Sequence, residues 1–145
     1  MIGSYSRYKI IPRYKVAEKD CLMNFDETVQ ALFEGIKNRD VEKLLSTISI
    51  DEEVCLILPN GAFFKGRSAF INLHTAWFAD PDWHMDVKFL RTIETPEMGY
   101  ALILADYSDV TLEDQPYEKQ HYLSLVFTKK DDVWHLVHDQ NTVAQ

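Results

Sequence analysis

Four side chains with acid–base chemistry belong to apolar rows: His74 falls between Phe70 and Trp77, and Asp106, His121 and Asp139 stand at the ends of theirs. A carboxylate and an imidazole converging on one small molecule suit proton abstraction beside a carbonyl, as in isomerisation, aldol-type cyclisation or dehydration. A carboxylate facing a closed cavity is desolvated, which raises its pKa toward neutrality, and histidine titrates there unaided. Asp139 and Asn141 close the last stretch, Val133 to Thr142, which alternates like a strand before four polar residues come together. Period-two reading groups Asp106 with Leu102 and Leu104, His121 with Leu123, Leu125 and Phe127, and Asp139 with Val133, Val137 and Asn141. The catalytic candidates are therefore Asp139, Asp106, His74 and His121. Trp77, Asn141, Leu104, Leu125 and Val137 are the candidate ligand-binding wall. Each has a plainer reading: a strand end reaching solvent for Asp106 or His121, a hydrogen-bonded core group for His74 or Asp139.

Other chemistries find no support. His84, His135 and His138 alternate faces and do not group as metal ligands. No phosphate loop, dinucleotide fingerprint or nucleophile elbow is present, so neither cofactor nor metal is expected. The formal net charge of -8 argues against nucleic acid as a partner, and no apolar run is long enough to span a membrane. Cys21 and Cys55 are the two cysteines, expected to be reduced in a cytoplasmic protein.

The elements that would position these groups follow in order. Residues 1–20 form a basic, tyrosine-containing extension, and residues 21–145 a single domain. Asn24 with Glu27 signals a first helix, whose apolar face runs through Phe25, Val29, Leu32, Phe33 and Ile36. Asp40 caps a second, short helix. Two short strands flank Pro59-Asn60-Gly61, and a third helix carries Phe70, Leu73, His74 and Trp77 on one face. Four long strands then cover about 83–94, 100–112, 117–129 and 133–142 with short connections, which predicts an antiparallel meander and an α+β domain. Both faces of these strands are apolar, and the helices can cover only one. A homodimer through the other sheet face is expected.

This order of elements resembles the SnoaL-like branch of the nuclear transport factor 2-like superfamily. The likeness is carried by Asn38-Arg39-Asp40-Val41-Glu42-Lys43-Leu44-Leu45, Leu58-Pro59-Asn60-Gly61, Phe64-Lys65-Gly66-Arg67 and Trp134-His135-Leu136-Val137-His138-Asp139-Gln140-Asn141-Thr142. It covers about residues 22–143. It implies a cone-shaped barrel of a curved, mainly antiparallel sheet with three helices enclosing a pocket. The fold serves cyclases, isomerases and dehydratases as well as assembly domains, so it leaves function open. The closing motif also resembles the association domain of calcium/calmodulin-dependent kinase. There the positions matching Val137, Asp139, Asn141 and His74 face the cavity, and the cavity arginines are replaced here by Leu104, Leu125 and Asn141. The expectation is a cofactor-independent lyase, cyclase or isomerase acting on a small apolar carbonyl compound. The alternative is a non-catalytic binding or assembly module.

Overall fold

Helix α1 (Phe25–Lys37) starts at a reciprocal cap: Asn24 Oδ1 accepts from the Glu27 amide at 2.8 Å, and Glu27 Oε1 accepts from the Asn24 amide at 3.0 Å. Phe25, Val29, Leu32, Phe33 and Ile36 are buried along one side, as their spacing predicts. Arg39 turns the chain through a left-handed conformation (φ 53°), and Asp40 caps helix α2 (Val41–Leu45) by accepting from the Lys43 amide at 3.1 Å. The two helices touch where Gly35 meets Leu44; a β-carbon on Gly35 would lie 2.8 Å from the Leu44 amide nitrogen. The computed structural model describes residues 22–50 and 53–145. The basic extension expected over residues 1–20 lies outside the described residues.

Strands β1 (Cys55–Ile57) and β2 (Phe63–Lys65) pair antiparallel around the Pro59-Asn60-Gly61 turn, where Gly61 supplies the required positive φ of 88°. Helix α3 (Arg67–Ala79) follows, and then β3 (His84–Glu94), β4 (Met98–Val110), β5 (Pro116–Lys130) and β6 (Val133–Val143). The six strands form one curved, open sheet in the order β2-β1-β6-β5-β4-β3. The four long strands are the expected meander. The last strand does not end at an edge: β6 pairs antiparallel with β5 and parallel with β1, so the sequence's closing stretch lies inside the sheet.

Phe25 packs edge-on against Phe127 at 5.4 Å between ring centroids and tilts against Trp134 at 5.1 Å, which ties α1 to the sheet. Trp134 is buried on the same face as Asp139, whereas strict alternation puts the two on opposite faces. The reason is a β-bulge. Val126 pairs with His138 and Phe127 with Leu136, leaving Val137 as an extra residue, and the parity of β6 changes there. Trp134 and Leu136 point inward before the bulge, Asp139 and Asn141 after it. His138 and Gln140 face outward.

Candidate functional site

Beneath α3, between β1 and the inner face of the long strands, is a cavity of about 330 Å³. Leu56, Leu58, Leu73, Trp77, Met85 and Leu123 supply apolar wall. His74, Tyr107, His121, Asp139 and Asn141 are its inner polar groups, and the exposed Lys119 with the half-buried Tyr117 stands at the rim. An apolar chamber with a few converging polar groups is the usual form of a small-molecule site.

Asp139 sits in the middle of β6, opposite Leu56 of β1 and Leu125 of β5, and is buried. Its Oδ1 accepts from Asn141 Nδ2 at 3.1 Å. The same amide nitrogen donates to the Ile57 carbonyl at 3.0 Å, so both its hydrogens are committed and Asn141 fixes the carboxyl in place. Burial pushes the Asp139 carboxyl up to about 7, and the Asn141 hydrogen bond opposes the rise without cancelling it.

The two histidines differ. His74, on the buried face of α3, donates from Nδ1 to the Phe70 carbonyl at 2.8 Å and stacks on the Phe70 ring. Burial holds its pKa down at about 4, with the Phe70 hydrogen bond acting in the other direction. A neutral ring that donates from Nδ1 can only accept at Nε2. His121, on β5, is also buried; burial and then the Lys119 charge lower its pKa. Its Nε2 is buried and has no hydrogen-bond partner among the described residues. Orphaned polar atoms of this kind are uncommon in folded interiors and call for an explanation.

Tyr107 connects the polar groups to the aromatic wall. Its hydroxyl donates to Asp109 Oδ2 at 2.7 Å and accepts from Trp77 Nε1 at 3.3 Å, and its ring lies 5.8 Å from that of His121. Burial, and then the Asp109 hydrogen bond, raise its pKa. Trp77 in turn stacks on Trp83 at 4.2 Å. The cavity wall is thus braced from behind and not free to collapse.

The expected site residues separate accordingly. His74, Trp77, His121, Asp139 and Asn141 meet around the cavity. Asp106 does not: it is exposed on the outer sheet face, where Oδ1 accepts from Gln120 Nε2 at 2.7 Å. Leu104 shares that outer face, Leu125 is fully buried in the core, and Val137 is the bulge residue. The face of β4 that looks inward is Gly99, Ala101, Ile103, Ala105 and Tyr107, the opposite of the Leu102–Leu104–Asp106 row. A physical signal for this was present in the residue sizes. Gly99, Ala101 and Ala105 are small, and at Gly99 the reason is α1: a β-carbon there would overlap the Phe25 ring.

Among the described residues, no three His, Cys, Asp or Glu side chains are placed to hold a metal, and no helix is long and apolar enough to cross a membrane. Three helices lie on a curved, open, mostly antiparallel six-stranded sheet, over a cavity with mostly apolar walls. The SnoaL-like domain matches residues 26–144, and the chain belongs to that family.

Solved structures agree on the fold. A Thiobacillus denitrificans protein assigned as a calcium/calmodulin-dependent protein kinase type II association domain superposes with a TM-score of 0.72 at 17% identity, covering 86% of this chain and 98% of that one. A ketosteroid isomerase-like protein from Erwinia carotovora atroseptica gives 0.70 at 8% identity, covering 83% and 93%. A nuclear transport factor 2-like superfamily protein from Salmonella enterica serovar Typhimurium LT2 gives 0.68 at 16% identity, covering 82% and 87%. At such identities the likeness speaks for the fold alone. No protein of curated function matches the sequence.

Proposed function

We propose that the cavity binds a small, largely apolar carbonyl compound and that Asp139 exchanges a proton with it, in a cofactor-independent isomerisation, cyclisation or dehydration. The observation that carries this reading is Asp139 itself: a buried carboxyl on the cavity wall, with a pKa of about 7. Such a group divides evenly between acid and base near neutral pH, the condition under which general acid–base catalysis is most effective. His121 shares the cavity wall with Asp139, and its unpartnered Nε2 becomes available to a ligand's oxygen only if the ring turns toward the cavity. His74 presents a lone pair and cannot protonate an oxygen, so its part is to accept a hydrogen bond or to fill the wall. The volume is about twice the roughly 150 Å³ that accommodates one benzene, which suits a one- or two-ring compound.

The test is deuterium exchange. Cyclic and aryl ketones incubated with the protein in heavy water should exchange their α-protons, as read by NMR, and Asp139→Asn should abolish the catalysed part. Wild-type exchange no faster than buffer across the panel would remove the catalytic reading.

A second reading is supported by a separate observation. The outer face carries Ile93, Tyr100, Leu102, Leu104 and Tyr122 in adjacent positions of β3, β4 and β5, uncovered within the single chain. An apolar sheet face of this kind favours a homodimer, and one similar structure is assigned as an association domain. On this reading the fold serves assembly and the cavity holds a ligand without turning it over. Wild-type protein that binds the ketones but exchanges no α-proton would favour it.

A further inference from the structure

On the sheet face opposite the cavity, Cys55 of β1 lies beside His138 of β6. The two residues are register partners in the parallel pair, and Sγ is 3.1 Å from His138 Nδ1. On its far side the imidazole meets Gln140, with Nε2 3.2 Å from Oε1. An amide oxygen only accepts, so Nε2 carries the ring proton and Nδ1 is left with its lone pair toward the thiol. The nearest competing acceptor for the S–H is the Val137 carbonyl at 3.7 Å. Past the bulge at Val137, strand alternation keeps His138 and Gln140 together on the outer face while Asp139 and Asn141 turn inward.

We propose that Cys55, His138 and Gln140 form a thiol-exchange site, in which Cys55 is the nucleophile toward low-molecular-weight disulfides, His138 its base and Gln140 the residue that fixes the imidazole's tautomer. Cys55 is partly exposed, as such a reaction requires. The step balances. The Sγ proton passes to His138 Nδ1, Sγ attacks one sulfur of the disulfide, and a new S–S bond forms as the old one breaks. The departing thiolate takes the proton from His138; Cys55 is oxidised to the mixed disulfide and half of the reagent is reduced to thiol. Lys65 of β2 is the register partner of Cys55 and shares its face. The β5 residues across from His138 and Gln140 are Val126 and Ser124, neither of which titrates; among the described residues, Lys65 and His138 are the ionisable register partners of Cys55.

The test uses the full chain and oxidised glutathione, with peptide mass mapping to separate Cys55 from Cys21. Cys55 in the wild type should form the mixed disulfide about tenfold faster at pH 7 than in His138→Asn. Gln140 is exposed, so Gln140→Leu removes the acceptor without threatening the fold; it should slow the reaction, and Gln140→Glu should restore it. The wild-type rate should also fall less steeply from pH 8 to pH 6 than that of His138→Asn. Equal rates in the wild type, His138→Asn and Gln140→Leu would overturn the proposal. So would a wild-type Cys55 that stays unmodified.

Discussion

Asp139 and His74 line one cavity and place opposite demands on the pH. The Asp139 carboxyl is raised in the folded state from 3.8 to about 7, so its contribution is fully favourable below about pH 4 and is lost as pH rises through about 7. The shift corresponds to something on the order of 4 kcal/mol. His74 is lowered from 6.5 to about 4, so its contribution is present above pH 6.5 and lost as pH falls toward 4; this is on the order of 3 kcal/mol. Between pH 4 and pH 6.5 the two nearly offset one another. Asp139→Asn should therefore be more stable than the wild type at pH 8, by up to about 4 kcal/mol, with the gap closing toward pH 4. On acidification below pH 6.5 the variant should also lose stability more steeply than the wild type, because His121, whose pKa is lowered too, adds the same loss to both while only the wild type has the opposing Asp139 contribution. Urea unfolding at pH 4.5, 6 and 8 measures this; a gap independent of pH would count against a buried, raised carboxyl.

At the scale of elements, most of the chain was legible because its signals are local. Asn24 with Glu27, Asp40, and Pro59-Asn60-Gly61 act within a few residues of where they stand, and the structure has caps and a turn at each. The inward assignment of β6 was half legible. Spacing places Asp139 and Asn141 on the cavity side but puts Trp134 opposite them, because a single bulged residue changes the parity and leaves no mark in composition. On β4 both faces are apolar, so periodicity alone could not choose between Asp106 and Tyr107; the small residues Gly99, Ala101 and Ala105 carried the information. A similar close approach sets the helix hairpin. Gly35→Ala gains about 1 kcal/mol of helix propensity, but its β-carbon would meet the Leu44 main chain, which cannot rotate away. Overpacking of this kind costs about 1–3 kcal/mol, so the net change should be destabilising. Denaturant titration reads the sign, and a more stable variant would show that α2 can shift.

For the whole molecule, the open sheet has one face covered by helices and one that is not. Tyr100, Leu102 and Leu104 are half-buried, and Tyr122 is 40% exposed, with Arg91 and Lys88 of β3 as the register partners of Leu102 and Leu104 at the side of the patch. A second copy is the simplest cover for such a face. The wild type should elute with a mass twice the 16.9 kDa of the chain, and Leu102→Asp should shift it to the monomer with its circular dichroism unchanged. A wild type that is monomeric at high micromolar concentration would leave that face to another partner. The thiol site lies toward the β2 side of the same face, three strands from β4, so occupancy of the apolar patch and modification of Cys55 are separable by experiment.

The central claim is that Asp139 titrates near neutrality inside a cavity that takes an apolar carbonyl compound. It is tested most directly by carboxyl ¹³C NMR of aspartate-labelled protein, with Asp139→Asn assigning the resonance. The midpoint should lie near pH 7 and move when a cyclic ketone is added. A midpoint near 4 that no ketone moves would contradict it.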